Sequence, residues 1–175
     1  MPSGFLVVVA DARNRATGGP YAGVCRVPYY PPDDVREERA MDEYVFGDFK
    51  DDDTNLIPSL EAAVKLCGML RSGGRQFEII YCRDAEQPVP LSQMGIGSVQ
   101  SLGYDVAGIR WNYWSIVEDF SIGDWAIPYH KRLNPNGLFG EKSDAEAYLR
   151  DYRAHRDHDW DSGFNIVEVL RITPT

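Results

Sequence analysis

Six consecutive apolar residues, Phe5-Leu6-Val7-Val8-Val9-Ala10, constrain the fold most. The run is short and rich in β-branched side chains, which is how a strand buried on both faces reads. A polar stretch with the breaker Gly18-Gly19-Pro20 follows. Tyr21 to Val27 reads as a second strand, closed by Pro28, Pro31 and Pro32.

Two helices are marked by period. Over 59–72, Leu60, Ala63, Val64, Cys67 and Leu70 recur at helical spacing, with Pro58 or Ser59 as the start and Gly73-Gly74 as the stop. Over 143–156, Ala145, Tyr148, Leu149 and Tyr152 form a second stripe behind a capping-box pattern, Ser143 to Glu146. Phe77 to Cys82 reads as a strand directly after the first helix, so a β-α-β unit with the first strand is permitted. Residues 83–100 carry Pro and Gly and read as mostly irregular. Tyr104 to Ala107 and Tyr113 to Phe120 read as short strands, and Phe164 to Ile172 as a final strand suited to the middle of a sheet. Asn134-Pro135-Asn136-Gly137 is a turn in which Gly137 can take positive φ. The expectation is one compact α+β domain over residues 1–175, with a mixed sheet of about five to six strands and two main helices.

Charge is distributed unevenly. The segment Asp33 to Asp53 holds ten acids against Arg36, Arg39 and Lys50, a net of -7 in a chain whose total is -9. It reads as partly loop with one short helical turn, and as a mobile segment of the domain. Its field attracts cations and repels nucleic acid and anionic membrane. Cys25, Cys67 and Cys82 are widely spaced and form no C-x-x-C pair, which fits a reducing compartment and excludes a zinc ribbon. Phe5 to Ala10 has no positive charge before it and is too short for a signal-peptide core, and no run reaches the roughly 18 apolar residues of a membrane helix. A soluble cytoplasmic protein is expected, with no internal repeat and no cofactor.

The catalytic motifs fail on particular residues. Asp51, Asp53 and Asn55 match the opening of an EF-hand, yet Leu56 stands where glycine is required and Ala62 where the bidentate Glu is required. Asp51 to Asp53 then read as a solvated cap on the helix that follows. His155 and His158 have metal-ligand spacing on a continuing helix, but His130 is the remaining histidine and no cysteine pattern completes the set. A solvated helix end is the simpler reading. Gly95-Ile96-Gly97 opens like a dinucleotide fingerprint, but Gln100 occupies the third glycine position, so a flexible loop is expected there. No Walker-type lysine and no G-x-S-x-G elbow is present.

Two arrangements remain. Asp11 follows the first strand, with Arg13 beside it. If strand 77–82 ran parallel to strand 5–10, Arg83 and Asp84 would arrive at the same sheet edge, where two carboxylates and two arginines could hold a phosphate or metal-bound substrate. Polar residues also follow strands simply because loops lie at the surface. Trp111, Tyr113, Trp114, Phe120, Trp125 and Tyr129 crowd one stretch. Most such rings fill cores, but one or two, Trp111 and Trp114 foremost, suit a partner surface. Together with Asp33, Asp34, Glu37, Glu38, Asp42, Glu43, Asp51, Asp52 and Asp53, they point to a protein-binding module for a basic protein, such as an inhibitor or immunity protein that neutralises a basic toxin or nuclease. Neither nucleic acid nor membrane is expected as a partner. Self-association through the aromatic stretch is the further possibility the sequence raises.

Overall fold

The computed structural model describes residues 3–9, 56–71, 77–108, 114–117, 123–155 and 163–175. Its elements, in chain order, are β1 (Gly4–Val9), α1 (Leu60–Arg71), β2 (Phe77–Asp84), β3 (Ile96–Gly108), β4 (Trp114–Ser115), α2 (Ile127–His130), α3 (Lys142–His155) and β5 (Phe164–Pro174). The five strands form one sheet in the order β1-β2-β5-β3-β4. The architecture is α+β. Every described pairing is antiparallel, so the expected mixed sheet is corrected to an antiparallel one. β1 and β2 are antiparallel neighbours, so α1 does not complete a parallel β-α-β crossover. The expected strand Tyr21–Val27 lies outside the described residues.

β5 is the centre of the sheet, and its alternation organises the core. Leu170 lies opposite Tyr81 and Ile172 opposite Ile79, while Tyr81 and Ile79 lie opposite Phe5 and Val7. This row packs with Ala63, Leu66 and Cys67 of α1. Two steps along the same face, Ile166 and Phe164 pack with Val106 and with Ala145, Tyr148, Leu149 and Tyr152 of α3. Side chains two apart on a strand share a face, so both long helices cover one side of the sheet. The other side carries Leu6, Ile80, Cys82, Val167, Val169 and Ala107, buried with Leu56 and Leu138.

The helices follow from their sequences with small shifts. Ser59 caps α1: its Oγ accepts the Ala62 N–H at 3.2 Å. The buried stripe of α1 is Ala63, Leu66 and Cys67, whereas Val64, expected inside, is 40% exposed. α3 begins at Lys142, which places Ser143 within the first turn rather than at the cap. Its expected stripe of four residues is buried in full.

Two strands depart from expectation. β3 begins at Ile96, so the stretch read as an irregular Gly-Ile-Gly loop is largely strand, entered by a turn with Gly95 at φ 64. Of the strand expected over 113–120, residues 114–117 are described, and among these Trp114–Ser115 form the strand, paired with Gly108 and Ala107. The Asn134–Gly137 turn forms as read. Gly137 has φ 73, its N–H donates to the Asn134 carbonyl, and the Asn134 side-chain amide donates to Leu102 O at 2.8 Å. Among the described residues no helix is long and apolar enough to cross a membrane.

Candidate functional site

The strand-end arrangement around Asp11 depends on β1 and β2 running parallel, and they do not. Val9, the last residue of β1, lies opposite Phe77, while Gly4 lies opposite Cys82. Arg83 and Asp84 therefore sit beyond the opposite end of β1 from the one that leads to Asp11. Asp11 and Arg13 themselves lie outside the described residues.

Arg83 and Asp84 also point to opposite faces, as neighbours on a strand must. Arg83 Nη2 lies 2.7 Å from Glu168 Oε2, its Nε donates to the same oxygen at 2.8 Å, and Nη1 donates to the Val89 carbonyl at 3.2 Å. Along the helix-bearing face of β5, Glu168 falls between Leu170, under α1, and Ile166, under α3. The ion pair thus occupies the seam between two hydrophobic clusters and fastens the segment that leaves β2. Asp84 is buried on the other face, where its Oδ1 accepts the N–H groups of Glu86 at 2.7 Å and Gln87 at 3.2 Å. That is a side-chain turn closing the strand end. Both residues carry structural duties, and the antiparallel register removes the geometric reason for a shared catalytic edge.

The aromatic stretch divides. Trp111, Tyr113 and Phe120 lie outside the described residues, and Trp114 belongs to β4. Trp125 and Tyr129 join the core beneath α3. The Trp125 ring is 5.4 Å from Tyr148 and stacks on His155 at 4.9 Å, and Tyr129 meets Tyr148 edge-on at 5.4 Å. Fully buried Tyr148 donates its hydroxyl proton to Ile116 O at 2.9 Å. Tyr129 donates to Asp151 in a short hydrogen bond. Burial pushes the Tyr129 phenol up, with that bond adding to the effect, and the same bond holds the Asp151 carboxyl below its usual value. For Trp125 and Tyr129, packing is the answer the structure gives.

The acidic residues Asp33, Asp34, Glu37, Glu38, Asp42, Glu43, Asp51, Asp52 and Asp53 lie outside the described residues, as does His158. What the described body adds is their electrostatic background. It carries eleven acids against nine lysines and arginines. Many are paired: Arg83 with Glu168, Arg171 with Glu78 at 2.9 Å, Arg132 with Asp144 at 3.0 Å, and Lys142 with Glu86 at 2.6 Å. The bond to Glu86 raises the Lys142 ammonium above its usual value. Glu78, Arg171 and Gln100 form a ladder across three strands, with Gln100 Oε1 accepting from Arg171 at 3.0 Å. The described surface is thus close to charge balance.

One groove of about 520 Å³ opens between α1 and the sheet, lined by Val64, Cys67, Gly68, Ile79, Ile172 and Pro174. Its volume suits a small molecule, but the charged residues at its border, Glu78 and Arg171, are engaged with one another. Among the described residues no group of three His, Cys, Asp or Glu side chains is placed to hold a metal ion.

Comparison with protein-family models, curated proteins and solved structures returns no match. The signal that sequence reasoning used, a charge block, is legible without geometry. The Arg83–Glu168 seam was not, because it depends on which strand lies beside β2.

Proposed function

We propose that this chain is an acidic protein-binding module that captures a basic protein partner, in the manner of an inhibitor or immunity protein that neutralises a basic toxin or nuclease. The observation that supports the reading is the concentration of charge. The segment Asp33 to Asp53 holds -7 of the chain's -9, while the described body is nearly balanced through its own ion pairs. A field focused on one segment orients a cationic partner, where a diffuse charge of the same size would only keep copies apart. Steering of this kind lifts association from about 10⁵–10⁶ to as much as 10⁸–10⁹ M⁻¹s⁻¹ at low salt. Slow release then rests on rings at the interface, with Trp111 and Trp114 in that role. A cytoplasmic setting, with its thiols reduced, belongs to the same reading.

The test compares the wild type with a variant in which Asp33, Asp34, Glu37, Glu38, Asp42 and Glu43 become their amides. Both serve as bait in lysate of the source cell, at low salt and at about 0.5 M, where screening reaches only a few ångströms. The expected result is one stoichiometric basic protein retained by the wild type, lost from the variant and weakened by salt. Its own activity should then fall in proportion to added wild-type protein. Identical retention by wild type and variant would overturn the reading.

A further inference from the structure

Strand β3 spans thirteen residues, and its side away from β5 is covered over only part of that length. β4 pairs with Ala107 and Gly108, and the Ile116 N–H donates to Val106 O. Phe139 exchanges both backbone hydrogen bonds with Tyr104, and the side-chain amides of Asn134 and Asn136 donate to Leu102 O. From Ile96 to Ser101, no described residue pairs with that side, and Gly97 to Ser101 are all exposed. A strand edge of this kind presents backbone N–H and C=O groups that another extended chain satisfies along its whole length.

Edges are normally blunted by charged residues, lysine above all, or by proline, which lacks the N–H to pair. The run Ile-Gly-Ser-Val-Gln-Ser has none, in a chain that is 26% charged. Register irregularities stand at Ile96/Ser98 and at Ser101/Gly103, and between them Ser98 to Ser101 run in continuous register with Thr173 to Leu170. Val99, 40% exposed, projects from this stretch.

We infer that the β3 edge docks a second copy of the chain, antiparallel about a two-fold axis, so that the two sheets continue into one another. The charge pattern selects this occupant. A chain of net charge -9 repels its own copy wherever its acids lie, so a self-contact needs an exposed, uncharged surface. A two-fold axis sets each residue of the segment against a residue of the same segment, and with no charge in it no like charges meet. A partner recruited by charge finds nothing here to recognise. Near the axis, Val99 approaches its counterpart, the β-branched pairing that strands favour. The inference stands apart from the binding of a basic partner, and salt separates the two. Screening weakens capture of a cation but relieves repulsion between two acidic copies, so the dimer tightens as salt rises.

A seam of this length buries well under the roughly 800 Å² per partner of a standard interface, so a reversible dimer is expected. In sedimentation equilibrium from about 1 to 500 µM, the range in which weak interfaces assemble, the average mass should climb from 19.8 kDa toward twice that value. Hydrogen exchange across the same range should slow at the amides of Ile96 to Ser101. Val99→Lys, at an exposed position, should keep the thermal transition and weaken association at least tenfold. Ser98→Lys repeats the test if that variant disturbs the fold. A concentration-independent monomer would overturn the inference. So would a dimer whose Ile96–Ser101 amides exchange as fast as the monomer's, or one that folded lysine variants leave intact.

Discussion

The Arg83–Glu168 pair offers the sharpest check on the account of the sheet. Its side chains are 18% and 16% exposed, so neither is dissolved in bulk water, and Arg83 reaches Glu168 through two nitrogens. Arg83→Gln leaves a mostly buried carboxylate facing the apolar seam and also removes the bond to Val89 O. For a charge left without its partner at this depth, the expected loss is about 2–3 kcal/mol. Glu168→Gln should cost about 1–2 kcal/mol, since the arginine keeps the Val89 carbonyl and part of its exposure. The double variant should lose less than the sum of the two, with a coupling of about 1–2 kcal/mol. In a chain of this size each kcal/mol moves the melting temperature by about 2–4 °C.

Urea denaturation followed by far-ultraviolet circular dichroism measures all four proteins on one scale. Repeating it at about 1 M salt should shrink the coupling only modestly, because a partly buried pair is poorly screened. Strict additivity, a coupling below about 0.3 kcal/mol, would refute the argument that this pair joins the two helix footprints. The experiment also bears on chemistry. An arginine kept for a phosphate would leave stability nearly unchanged when replaced, and the wild type would melt higher with inorganic phosphate added.

Gly103 has φ +134 at the β3 irregularity, and a Cβ there would stand 2.5 Å from Phe139 O, so Gly103→Ala should lower stability by about 2–4 kcal/mol in the same denaturation assay. Asp151 has its carboxyl held low by the Tyr129 hydrogen bond, so the folded state binds that proton less readily than the unfolded chain does. This contribution is present above the usual carboxylate range and is lost as pH falls through the folded value. Asp151→Asn should therefore flatten the acid limb of a melting-temperature profile, and an unchanged limb would count against the bond.

Local pattern carried the elements whose stability is local. α1 and α3 were legible because a 3.6-residue apolar stripe and a start signal both lie within one segment. Val64 was misplaced because it keeps the helical period yet faces the groove rather than the core, a distinction only the neighbouring sheet can make. β5 was legible as a central strand from its apolar residues on both faces. The first half of β3 was not, since Gly97, Ser98 and Gln100 have weak strand preference and are held there by pairing with β5. Strand direction was also out of reach, because an apolar run reads the same in a parallel or an antiparallel neighbour. That ambiguity alone produced the proposed edge of Asp11 with Arg83 and Asp84.

The same physics separates the two interaction proposals. Long-range charge is a property of composition and survives ignorance of geometry, so a sequence can announce a cationic partner. An open strand edge is defined by what fails to pair with it, which only a full account of the sheet supplies. In β3 the two criteria meet: the stretch that no described residue pairs with on one side is also free of charged side chains. Had Ser98 or Val99 been lysine, the edge would read as a protected one, and self-pairing would have no physical basis. Under the two proposals charge placement does opposite work, with residues 33–53 drawing an unlike partner and residues 96–101 permitting a like one.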